Sequence, residues 1–303
     1  MSFDTPILFI IFNRPDTTKR VFGTLRQLKP KHLYVAADGP RLSRPDEKDI
    51  CQQTRDVIKS IDWPCNLVTL FQSKNLGCKV AEFTAITWFF NQVNQGIILE
   101  DDCLPNPSFF PFCSQLLDKY ANNPQIMHIG GDNFQKVKVK DSYYFSRYSH
   151  VWGWASWARA WKHYDVKISS WPKVKHSSTF KKLLPNAIER LYWSQIFDLV
   201  YDNKINTWDY QWLYTILVQN GTTIVPRVNL ISNIGFGNKP THTHNKHSPF
   251  ANLKTHPIQF PLRHPSTIAI NTKNDEYTVK NHFKINLFNY LLKTLYHHIF
   301  SIS

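Results

Sequence analysis

Residues 96–102 read Gly-Ile-Ile-Leu-Glu-Asp-Asp, an apolar run that ends directly on three carboxylates. Two earlier apolar runs also end on polar groups: residues 7–12 lead into Asn13-Arg14, and residues 32–37 into Asp38-Gly39. A fourth run covers 66–71, and polar stretches of helical length fill 17–27, 47–61 and 79–92. Apolar strands separated by helical crossovers predict βαβ units and a mostly parallel α/β sheet with both faces covered. In such sheets ligands bind beyond the carboxyl ends of the strands. All three polar groups fall there.

Further along, strands are expected at 126–129, 223–225 and 229–231, with a Trp-rich stretch at 152–161 and an acidic turn near Trp208-Asp209. Beyond about 246 a His-, Pro- and Lys-rich loop precedes an apolar helical stretch starting at Phe283. The chain of 303 residues is 42% hydrophobic and 15% aromatic, which excludes a disordered protein. No window approaches the roughly 20 apolar residues of a membrane span. The run from Pro6 to Phe12 is too short for one and lacks the basic residues of a signal peptide. Five cysteines, at 51, 65, 78, 103 and 113, form no CxxC pair, so reduced thiols and a cytoplasmic location are expected. The net charge of +14 is spread along the chain without a nucleic-acid-binding motif, so no nucleic-acid partner is expected.

Three adjacent carboxylates repel one another at a strand end. A divalent cation resolves the conflict, because Mg²⁺ or Mn²⁺ commonly takes one or two carboxylates together with substrate phosphates. Acidic residues ahead of a helix are the competing explanation, and Pro105, Pro107 and Ser108 allow a helix start there. On the triplet alone the two stand level. Lys74, Asn75, Gly77 and Lys79 follow the third strand, where a close backbone approach and a lysine suit phosphate; an ordinary strand-to-helix turn suits them as well. Trp152 and Trp154 could stack on a sugar face, although large aromatics more often pack inside a protein.

The segment Ile97-Ile98-Leu99-Glu100-Asp101-Asp102-Cys103-Leu104-Pro105-Asn106-Pro107-Ser108-Phe109-Phe110 resembles the metal-site segment of the N-acetylglucosaminyltransferase I family. Trp208-Asp209-Tyr210-Gln211-Trp212 resembles that family's catalytic segment, and Phe236-Gly237-Asn238-Lys239-Pro240-Thr241-His242 its later glycine-containing segment. The resemblance covers roughly residues 6–245 and implies a bacterial-type relative with the GT-A, Rossmann-like fold. It implies Asp102 and His242 at the metal, Glu100 and Asp101 at the donor's sugar and ribose, and Asn13, Arg14 and Asp38 around the nucleotide. Tyr210-Gln211 departs from the family pattern in residue type and spacing.

That assignment suits the chemistry. Cleaving a sugar–diphosphate bond builds charge on the leaving diphosphate, which a cation offsets. An acceptor hydroxyl attacking from the opposite side needs a base and inverts the anomeric centre. Asp209, flanked by Trp208 and Trp212, is the best single candidate; the alternative is a helix-capping aspartate. The expected reaction moves a sugar, N-acetylglucosamine by resemblance, from a UDP-sugar to a glycan or lipid-linked acceptor, with Trp152, Trp154 and Trp208 on the acceptor side. A nucleotidyltransferase would need a glycine-rich loop after the first strand, but Phe12-Asn13-Arg14-Pro15-Asp16 has no glycine. A carbohydrate-binding relative without activity is the non-enzymatic alternative. The expected organisation is a catalytic domain at 1–245, divided into a donor half at 1–135 and an acceptor half at 136–245. A tail follows at 246–303, with Phe288, Leu291, Leu292, Leu295 and Ile299 on one helical face. That face suits docking on the body or peripheral contact with the inner face of a membrane.

Overall fold

The computed structural model describes residues 3–236 and 248–285. Strand β1 (Ile7–Ile11) is buried throughout. Ile7, Phe9 and Ile11 join one core cluster, while Leu8 and Ile10 join another. A two-residue side-chain period on a doubly covered sheet requires this split. Pro15 opens helix α1 (Pro15–Leu28), where its missing N–H is harmless. Thr18, Val21, Phe22 and Leu25 form its buried stripe.

Strand β2 (His32–Ala37), helix α2 (Glu47–Asp56), strand β3 (Asn66–Phe71), helix α3 (Cys78–Phe90) and strand β4 (Gln95–Glu100) follow in the expected alternation. The helix expected over 47–61 is shorter: α2 stops at Asp56, and Val57–Ser60 tighten into a 3₁₀ turn. The remaining strands and α-helices among the described residues are β5 (Cys103–Pro105), α4 (Phe109–Lys119), β6 (Ile126–Gly130), β7 (Tyr143–Ser146), β8 (Trp154–Trp157), α5 (Ala158–Trp161), α6 (Trp171–Lys175), α7 (Ser178–Leu183), α8 (Ala187–Tyr201), α9 (Asp209–Val218), β9 (Thr222–Pro226), β10 (Ile231–Asn233) and α10 (Thr272–Tyr277).

The main sheet runs β3-β2-β1-β4-β8-β6-β9-β7. Its first four strands are parallel, β8 is antiparallel to both neighbours, β6 and β9 are parallel, and β7 closes the edge antiparallel. The expected mostly parallel α/β sheet is therefore present, with the change of direction confined to the second half. Strand β8 lies in the Trp-rich stretch. Its alternation sends Trp154 to the cluster under α3 and α9, and Ala155 and Trp157 to the other face. Strands β5 and β10 form a separate antiparallel ribbon. Residues 248–285 run back over the body: Asn271 N–H donates to the Phe145 carbonyl at 2.8 Å, and His256 N–H to the Asn229 carbonyl at 2.8 Å. The amphipathic stretch expected from Phe288 lies outside the described residues. Within them, no helix is long and apolar enough to cross a membrane.

One core histidine yields a stability prediction. His128 stacks on Trp154 with centroids 5.1 Å apart, accepts from Trp212 Nε1–H at Nδ1 (3.1 Å), and donates from Nε2–H to the His150 carbonyl (2.9 Å). Burial pushes its pKa from 6.5 down to about 3. The unfolded chain therefore binds this proton more readily, so stability falls as pH drops through 6.5 towards 3. Over most of that window this group removes about 1.4 kcal/mol per pH unit. In urea unfolding between pH 7 and 5, His128→Phe should be less stable at neutral pH yet lose stability less steeply. Parallel pH dependences would contradict this reading.

Candidate functional site

The ladder registers bring three strand ends level. Ile10 sits beside Glu100, and Ile11 beside Ala37. Phe12-Asn13-Arg14, Asp38-Gly39 and Asp101-Asp102 therefore emerge together at the carboxyl edge. They open onto a cavity of about 480 Å³, whose wall also includes residues of α3 and the segment Asn206–Asp209. Arg14, Asp38, Glu100, Asp101, Asp102, Trp152, Trp208 and Asp209 all line it.

The acidic triplet is organised around one cation of the chain itself. Arg14 Nη1 donates to Asp102 Oδ2 at 2.6 Å, and its Nη2 lies 3.1 Å from Asp101 Oδ1. Phe12 N–H donates to Asp101 Oδ2 at 3.1 Å. Burial opposes the Arg14 charge, but Asp101, Asp102 and Glu100 together raise its pKa. Burial raises Asp101 as well, with Arg14 acting against it and Asp102 with it. Glu100 is raised well above the carboxylate range by burial, then by Glu82 and Asp102. Directly after the triplet, β5 pairs with β10, and Ile234 N–H donates to the Asp102 carbonyl at 2.8 Å. This ribbon presses Gly235 against the site. A Cβ on Gly235 would stand 2.1 Å from Asp102 Oδ2, so only glycine leaves the Arg14–Asp102 pair undisturbed.

Asp38 organises a loop. Its Oδ1 accepts from Gly39 N–H (2.8 Å) and Leu76 N–H (2.9 Å), and its Oδ2 from the Asn75 amide (2.7 Å) and Gly77 N–H (3.2 Å). Four donors fill a carboxylate's acceptor sites. Asp38 thus clamps the 75–77 turn to the end of β2. The backbone of Lys74 runs so close to Gly39 that a Cβ there would meet it at 2.4 Å. Asn13 points aside and donates to Glu47 Oε1 at 2.9 Å, while Glu47 is also paired with the Arg41 guanidinium.

Other expected residues lie off the cavity. Lys74 is exposed, and Lys79 Nζ donates to Asn203 Oδ1 at 2.5 Å; neither lines the wall. Trp154 corrects an expectation. At 1% exposure it packs against His128, Trp161, Trp208 and Trp212, so it has no surface to offer a sugar. Trp152 is half-buried and does line the cavity. His242 lies outside the described residues. Asp209 is the first residue of α9, half-buried, and accepts a hydrogen bond from the Thr207 hydroxyl. The expected acidic turn is thus a helix start, where a carboxylate is also favoured by the helix dipole.

Sequence reasoning missed Arg41, Cys78 and Glu82 in the wall. Burial, then the charges of Glu82 and Glu100, push the Cys78 thiol up, which leaves it a poor nucleophile. Glu82 carries no local signal, because it stands within the apolar stretch of α3.

No group of three or more metal-ligating side chains occurs among the described residues. A divalent ion still fits the charge balance: Glu82, Glu100, Asp101 and Asp102 share the pull of Arg14, and burial together with mutual repulsion raises three of them. Such an ion would be held by Asp102, with its remaining ligands from phosphate and water, as Mg²⁺ and Mn²⁺ sites allow.

No family model matches the sequence, and no curated protein matches it. Several solved structures are similar at low level. A cytidylyltransferase from Leptospira borgpetersenii serovar Hardjo-bovis is 10% identical, with a TM-score of 0.34 over 54% of this chain and 63% of that one. The chain thus spans less than two thirds of that structure. Mouse xyloside xylosyltransferase 1 in its apo form is 9% identical, with a TM-score of 0.37 over 71% of this chain and 81% of that one. A UDP-glucose pyrophosphorylase complexed with UDP-glucose is 9% identical, with a TM-score of 0.35 over 75% and 90%. Similarity at this level carries no argument about activity. The α/β assignment rests on the strand order and pairing above.

Proposed function

We propose that the chain is a glycosyltransferase that moves a sugar from a nucleotide-diphosphate donor to a hydroxyl acceptor with inversion. One observation carries the reading: the Arg14–Asp101–Asp102 cluster and Asp209 line the same cavity, beyond the carboxyl ends of parallel strands. The three segments that resemble the N-acetylglucosaminyltransferase I family also favour it, and two of them supply residues of this wall. A UDP-linked N-acetylglucosamine donor is the assignment that resemblance favours, with a glycan or lipid-linked acceptor.

Bound Mn²⁺ or Mg²⁺ would offset the charge growing on the leaving diphosphate. The chain's own groups do the rest. Arg14 would share the phosphate charge, and Trp152 and Trp208, which line the cavity, would bound the acceptor side and exclude water. Asp209 Oδ2 takes the proton of the attacking hydroxyl, while the Thr207 hydroxyl fixes the other oxygen. Release of nucleoside diphosphate from nucleotide sugars in the presence of Mn²⁺ tests the proposal. Absence of both binding and release across donors would overturn it.

A further inference from the structure

We infer that Glu82 selects the donor's sugar, by presenting a buried carboxyl that a hydroxyl or N–H of that sugar must satisfy. The inference rests on the nucleotide-sugar reading of the cavity. Glu82 is 8% exposed and forms part of the cavity wall. The other buried side chains of α3, Ala85, Ile86, Phe89 and Phe90, are apolar. Among the described residues, its Oε2 is buried without a hydrogen-bond partner. Of the other acids in the wall, Asp38 is held by the 75–77 turn, Asp101 and Asp102 by Arg14, and Asp209 by Thr207, while Glu100 is less deeply buried than Glu82. A buried carboxyl that holds nothing in the fold destabilises it, and a ligand that donates to it removes that penalty.

Position supplies the second half of the argument. Asp101, Asp102, Arg14 and Asp38 all act electrostatically on Glu82. One helical turn away, Cys78 feels both Glu82 and Asp209. Glu82 also shares the cavity wall with the Arg14–Asp101–Asp102 cluster and with Asp209. A sugar joined to a diphosphate at that cluster and attacked beside Asp209 would lie against this wall. A site built to bond a hydroxyl rejects analogues lacking it far more strongly than an apolar pocket discriminates by size.

The test uses the full chain, Glu82→Gln and Glu82→Leu. Calorimetric titrations with Mn²⁺ would compare UDP-, GDP- and dTDP-sugars with their parent nucleoside diphosphates. The readout is the ratio of nucleotide-sugar to nucleotide affinity, because any change in local charge alters both members alike. Glu82→Leu should lower the ratio by about tenfold or more, whereas Glu82→Gln, which still hydrogen-bonds, should keep it within about threefold. Retained nucleotide affinity shows that a variant is folded. An unchanged ratio in Glu82→Leu overturns the inference and leaves the function intact. If the wild type binds no nucleotide at all, the nucleotide-sugar reading fails and takes the inference with it. Should Glu82→Leu not fold, the wild type decides with singly deoxygenated donors: one missing hydroxyl must cost about tenfold or more in binding, and indifference to every one overturns the inference.

Discussion

Asp102→Ala is expected to abolish the metal-enhanced part of nucleotide-sugar binding while leaving the protein folded. Asp102 lines the cavity, its Oδ2 accepts from Arg14 at 2.6 Å, and among the described residues its Oδ1 accepts from the Cys103 thiol at 3.4 Å. It therefore retains acceptor capacity that a cation would use. Outer partners of a metal ligand are worth 10- to 100-fold in metal affinity, so loss of the ligand itself should cost at least about 10²-fold. Arg14 keeps Asp101 as a partner in the variant, which limits damage to the fold. Asp102→Asn, which preserves an acceptor for Arg14, separates lost charge from lost packing. Donor affinity and activity unchanged by EDTA would sink the metal assignment.

The second large effect is expected at Asp209. Asp209→Asn keeps an oxygen for the Thr207 hydroxyl and keeps the start of α9, but it cannot accept a proton. Donor affinity should survive, and turnover should drop by at least about 10²-fold, the lower range for losing a general base. A merely structural role at the first helical residue predicts a different outcome: a small loss of stability with turnover retained. Normal turnover, or a product that keeps the donor's anomeric configuration, would remove Asp209 from the mechanism.

Much of this site could be read in the chain because its parts sit at the ends of apolar runs. A strand buried on both faces leaves an unmistakable signal, as at Ile7–Ile11, and the polar residues that follow must lie at the sheet edge. What could not be read depends on which way side chains turn. Trp152 and Trp154 look alike in sequence, yet Trp154 belongs to β8, which passes between β4 and β6 and carries it into a cluster of indoles, while Trp152 precedes the strand and lines the cavity. Asp38 reads as a ligand contact until the 75–77 turn, distant in sequence, is seen to fill its oxygens. Glu82 is hidden in an apolar helix, where one acidic residue carries no periodic signal. The pairing of β5 with β10, which sets Gly235 against Asp102, joins segments about 130 residues apart that no local pattern connects.

The most direct test of the central claim is product analysis after incubating the protein with Mn²⁺ and a panel of nucleotide sugars. The account predicts that one donor yields free nucleoside diphosphate and a sugar of inverted anomeric configuration, carried by the acceptor or by water. Formation of sugar 1-phosphate with nucleotide transfer, or no turnover of any donor, would contradict it.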